Sequence, residues 1–158
     1  MIAGDVLHTG ASGYSQLLSS YGAGAIAGAL ATAQRGAAAG RGGILLAALS
    51  VYGLATTCAV QSRSQGLSMA LLFVSGWSLV TAFSILNSLV QENAPDALRG
   101  RIVSIYGLAF RGGMPVGSLV AGFLVNAFGA PPVISSFSLA LIGLAAGVYL
   151  RNERIRSL

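Results

Sequence analysis

Four stretches of this chain carry no charged side chain: residues 9–34, 42–62, 64–91 and 112–150. A helix that crosses a bilayer needs about 20 consecutive, mainly apolar residues. Each of the first three stretches therefore holds one span, and the last is long enough to divide into two. Charged residues make up only 8% of the 158, with 54% hydrophobic, whereas soluble domains carry roughly 25% charged residues. A soluble all-α domain with unusually apolar helices is the competing reading. It fails because so few charges cannot cover a water-facing surface. The expectation is an all-α, polytopic membrane bundle of about five transmembrane helices, forming a single membrane domain over residues 1–158.

Glycine and proline mark where the spans end. They predict helices at about residues 14–34, 43–62, 67–91, 98–127 and 131–150, joined by "RGAAAGRG", "SRSQG", "NAPDA" and the tight "FGAPP". Pro95 followed by Asp96 suits a helix start, because an aspartate accepts from the unpaired amides of a first turn. Gly129 with Pro131 and Pro132 suits a stop and restart.

An odd number of spans puts the two ends on opposite sides. One side then holds Arg35, Arg41, Arg99, Arg101, Arg151, Arg154 and Arg156, and the other only Arg63. Basic residues in short loops stay in the cytoplasm, so the amino end is expected outside and the carboxyl tail inside. Residues 1–13 are too short to span and lack the basic start and apolar centre of a signal peptide. An earlier helix would normally carry such an end across. The expectation is that the natural protein is longer, with this chain as its carboxyl-terminal part; a complete five-span protein is the alternative.

Lipid gives helices no hydrophobic reason to associate, so close packing relies on small residues along one side. Ser20, Gly24, Ala27, Gly28 and Ala31 share a face of the first span. Gly-xxx-Gly pairs occur at 24/28, 113/117 and 143/147. In the fourth span Ser104, Gly107, Arg111, Pro115, Ser118 and Gly122 recur at steps of three or four, which puts them on one face. Arg111 lies roughly 15 Å along the helix from Arg101, about halfway through a hydrocarbon layer of about 30 Å. An arginine there costs at least about 2.5 to 3.5 kcal/mol against lipid. Its side chain is therefore expected to face protein or water, binding an anionic substrate group or pairing with a buried carboxylate. Gly112, Gly113 and Pro115 weaken the helix beside it, and Gly117 follows. In the third span Trp77, Thr81, Ser84 and Ser88 form a narrow arc with Asn87 at its border, and Ser50, Gly53 and Thr57 form another in the second. Such strips either line a wet pathway or bond one helix to another.

The composition excludes several classes of function. The arginines sit at the ends of apolar runs, not on one patch with interleaved aromatics, so lipid headgroups explain them better than nucleic acid. His8 has no second His or Cys nearby, so no metal is expected, and the lone Cys58 excludes an internal disulfide. There is no phosphate-binding glycine loop and no nucleophile paired with a base, so neither an enzyme nor a cofactor is expected. Asp5, Glu92, Asp96 and Glu153 all fall in loops or at helix ends. A proton-coupled carrier needs a titratable group in its pathway, and this segment places none there.

The run "VQENAPDALRGRIVSIYGLAFRGGMPVGSLVAGFL" carries Gln91, Pro95, Arg99-Gly100-Arg101, Arg111-Gly112-Gly113, Pro115 and Gly117. In this pattern, and in "GASGYSQLLSSYGAGAIAGAL", the chain resembles the major facilitator superfamily, particularly the bacterial branch of the enterobactin exporter and related drug-efflux carriers. The resemblance implies helices eight to twelve of a twelve-helix secondary transporter in the bacterial inner membrane, exporting a small molecule. With the polar strips described above, it makes Arg111, Trp77, Thr81, Ser84 and Asn87 the candidate residues of a substrate pathway. Arg99, Arg101, Gln91 and Asp96 would lie at the cytoplasmic interface, with contact to lipid phosphate as the alternative for the two arginines, and Gly24, Gly28, Gly112, Gly113, Pro115 and Gly117 at packing or hinge positions. The implied partners are the lipid bilayer, a small-molecule substrate and the missing amino-terminal half. The loop "GALATAQRGAAAGRGG" departs from the family pattern: it keeps Gly28, Arg35, Gly40 and Arg41 but lacks an acid. Any latch there would draw its carboxylate from elsewhere. The rival readings are a small membrane scaffold and a half-sized transporter acting as a dimer.

Overall fold

The computed structural model describes residues 11–35 and 40–151. It contains five α-helices: α1 (Ala11–Arg35), α2 (Arg41–Gln61), α3 (Gln65–Glu92), α4 (Arg99–Phe128) and α5 (Ala130–Arg151). Their ends fall within three residues of the expected positions. Glycine breaks the chain at two of the turns. Gly40 adopts φ 79 just before α2, and Gly129 adopts φ 85 between α4 and α5, a region open mainly to a residue without a Cβ. Pro131 and Pro132 then occupy the first turn of α5, where their missing amides cost nothing.

The helices α2, α3, α4 and α5 are each long and apolar enough to cross a membrane. α1, at 25 residues, is long enough, but Ser12, Ser15, Gln16, Ser19 and Ser20 dilute its apolar content.

α3 lies between α1 and α2, and α2 packs in turn against α5; α4 touches α3 and α5 sparingly. Much of what is buried in this arrangement is small, although Leu17, Leu46, Val60, Ile85 and Val133 are buried as well. The most thoroughly buried side chains are Ser68 and Ser75, joined by Ala55, Ala59, Ala82, Ser78 and Thr81. The large apolar side chains Ile26, Leu30, Leu54, Leu67, Leu108, Leu119 and Phe123 face outward. A soluble bundle would reverse this, because burying large side chains is what stabilises it in water. Small inside and large outside is the pattern expected where the solvent is itself hydrocarbon.

Glycines make the α1–α3 contact possible. A Cβ on Gly28 would lie 2.6 Å from the carbonyl oxygen of Trp77, and one on Gly24 would strike the carbonyl of Phe73. The fit is reciprocal, since a Cβ on Gly76 of α3 would strike the carbonyl of Tyr21. Between α2 and α5, Gly53 meets Ile142 and the Ser138 carbonyl, a Cβ falling 2.8 Å and 3.0 Å from them.

Several hydroxyls in the helices turn back on their own backbone: Thr32 donates to the Gly28 carbonyl, Ser50 to Leu46 and Thr57 to Gly53. One pair crosses between helices, with Thr56 Oγ1 and Ser75 Oγ 3.2 Å apart. Interhelical bonds of this kind average about 0.6 kcal/mol in membrane bundles. Ser75→Ala is accordingly expected to lower thermal stability in detergent only slightly, by about that amount, because Thr56 keeps its bond to the Tyr52 carbonyl.

Candidate functional site

The polar residues fall into two groups: charges at the helix ends, and the residues along α3 and α4.

Among the charges, Arg41 begins α2, and its side chain is only 10% exposed. Its Nη1 donates to both carboxylate oxygens of Glu92, at 2.7 and 2.9 Å. Glu92 is the last residue of α3, 51 positions away in sequence. The loop before α2 has no acid of its own, and the carboxylate for its arginine comes from the far end of α3. The pair ties α2 to α3 within this bundle. Sequence reasoning missed this partnership.

Asp96 does not cap α4. The residue flanking that helix is Leu98, with no side-chain cap, and Asp96 lies two positions upstream of it. It pairs instead with Arg99, three residues on, at 2.6 Å. Both groups are well exposed, and a pair of that kind is worth only about 0 to 1 kcal/mol. Arg101 is exposed on the first turn of α4. Gln91 donates to the Asn87 side chain at 3.1 Å, and both residues are exposed.

On α3, Trp77, Thr81, Ser84 and Asn87 are held in different surroundings. The backbone of Trp77 abuts Gly28, while its ring is partly exposed and lies 6.3 Å from that of Phe73. Thr81 is buried, and its hydroxyl has no partner among the described residues. Ser84 is half-buried.

On α4 no residue is buried. The helix runs unbroken through Gly112, Gly113, Pro115 and Gly117. Proline has no amide hydrogen, so the Arg111 carbonyl loses its usual partner four residues on. Ser118 donates to the Pro115 carbonyl at 2.9 Å. A Cβ on Gly107, Gly113, Gly117 or Gly122 would meet nothing within 4 Å, and the same holds for Gly143 and Gly147 on α5. Of the three Gly-xxx-Gly pairs, the one at 24/28 is thus seated against a neighbouring helix within this chain. An edge-on stack attaches α4 to α3: the rings of Phe83 and Phe110 lie 4.8 Å apart at 86°, with Tyr106 stacked on Phe110.

Long apolar helices with large side chains facing outward, and with every described charge except Arg111 at or beyond a helix end, define a polytopic membrane protein. A family model for the transmembrane secretion effectors of the major facilitator superfamily matches residues 1–157. The chain belongs to that family, which points to transmembrane transport of the major facilitator type. No curated protein and no solved structure matches it.

Proposed function

We propose that this chain is the carboxyl-terminal bundle of a secondary active carrier that exports a small molecule by alternating access, in the enterobactin-exporter and drug-efflux branch. The observation carrying this reading is the family match over residues 1–157. In such carriers two helical bundles rock about a site near the bilayer midplane. The amino end lies outside and the carboxyl end in the bacterial cytoplasm. Trp77, Thr81, Ser84 and Asn87 on α3 supply an indole, two hydroxyls and an amide to one wall of the pathway. Arg99, Arg101, Gln91 and Asp96 border the cytoplasmic opening. The opposing wall comes from an amino-terminal half, and any proton-coupling carboxylate lies there too, because the acids of this chain stand at helix ends or beyond them.

Everted membrane vesicles from cells expressing the natural gene test this. On energisation they are expected to accumulate a catechol siderophore or a cationic dye beyond vesicles lacking the protein. A protonophore should abolish the difference. Equal accumulation with and without the protein, across both compound classes, would instead favour a scaffold.

A further inference from the structure

The placement of Arg111 constrains what must cover α4. The aromatic contact with α3 fixes how the helix is turned. Phe110 faces Phe83 of α3, and Tyr106 stacks on Phe110 one turn away. At 100° per residue, the face of Gly107, Arg111, Pro115 and Ser118 is rotated about 115° away from them. It points outward, and the glycines on it have nothing within 4 Å.

Among the described residues, no carboxylate reaches that face at mid-span. Among the described residues Glu92 is engaged by Arg41 and Asp96 by Arg99, each at the end of a helix. Asp5 precedes α1 in sequence and Glu153 follows α5. None of the five helices carries an acid in its interior. A second copy of the chain therefore brings no mid-depth negative charge either. A guanidinium halfway through the hydrocarbon layer cannot be left against acyl chains without a compensating group.

We infer that the Arg111 face of α4 docks a transmembrane helix from outside this sequence that carries an Asp or Glu at mid-bilayer depth, paired with the Arg111 guanidinium. The bare glycines at 107 and 122 let that helix approach closely, and the Arg111 carbonyl, which Pro115 cannot serve with an amide, offers it a further acceptor.

The test uses the natural full-length protein in membranes and does not depend on transport. A photo-reactive phenylalanine at Ser118, on the Arg111 face about two turns along, is compared with one at Val116 on the far side of the helix. The captured peptides are identified by mass spectrometry. The expected result is capture at Ser118 of a hydrophobic segment with an Asp or Glu near its middle, while Val116 gives lipid adducts. Arg111→Ala should cut the Ser118 yield by about tenfold, and Arg111→Lys should retain most of it. Arg111→Glu should lose capture and regain it when the captured acid is changed to Arg. Lipid adducts at Ser118, capture of a second copy, or a captured segment without a mid-span acid would overturn the proposal. So would undiminished capture in Arg111→Ala with transport lost, which assigns the charge to an anionic substrate. Normal membrane levels of Arg111→Ala separate loss of docking from failure to insert.

Discussion

Gly24→Ala is expected to destabilise the bundle by about 1 to 3 kcal/mol, the usual range for overfilling a close contact, while Gly22→Ala in the same helix stabilises it by about 0.5 to 1 kcal/mol. The two differ only in what the new methyl group meets. At Gly24 it meets the backbone of Phe73, and at Gly22 nothing lies within 4 Å. Backbone cannot swing aside as a flexible side chain would, so α1 must move off α3. Gly76→Ala should act like Gly24→Ala, because it strikes the Tyr21 carbonyl from the other side. Both variants separate the same two helices, so their costs should combine to less than their sum. Thermal unfolding in detergent checks the signs. Equal effects at Gly22 and Gly24 would mean that α1 and α3 do not meet where the structure puts them.

Glu92→Ala is the second large effect, at about 1 to 3 kcal/mol, below the range for wholly buried pairs because the carboxylate is half exposed. The asymmetry of the pair matters more than its sum. The side chain of Arg41 is 10% exposed and that of Glu92 is 55% exposed. Removing Glu92 strands a buried charge, whereas removing Arg41 leaves a carboxylate that water can reach. Arg41→Leu should therefore cost less than Glu92→Ala, and adding Arg41→Leu to Glu92→Ala should recover part of the loss. Unfolding midpoints of the two single variants and the double variant decide this. Equal costs for the singles would place Arg41 in water.

Much of the helical layout was legible because charges and chain breakers report directly on where hydrocarbon begins and ends. Arg35, Arg41, Arg63, Glu92, Arg99 and Arg151 stand at or just beyond helix ends. Glycine spacing was a weaker guide. It groups residues on a face but does not say whether a helix lies against that face, so the pairs at 24/28 and 143/147 read alike in sequence and differ in surroundings. The arc on α3 met a similar limit. The residues buried most deeply on that helix are Ser68 and Ser75, outside the arc drawn through Trp77, Thr81 and Ser84, because α3 is flanked on two sides. The Arg41–Glu92 pair joins residues 51 apart in sequence, and local spacing carries no trace of it. One signal was present: alternate crossings return the end of α3 to the side on which α2 begins, which puts Glu92 among arginines. Asp96 was misread as a cap because α4 starts two positions later than the Pro-Asp step suggests.

The central claim is that these helices cross the bilayer in alternation, with small residues inside and charges at the two faces. Cysteine labelling in intact cells tests it most directly. With Cys58 replaced by alanine, Ser64→Cys between α2 and α3 should react with a membrane-impermeant maleimide added from outside. Asn93→Cys after α3 should react only once the membrane is opened. Labelling of both positions from outside, or of Asn93→Cys alone, would contradict the account.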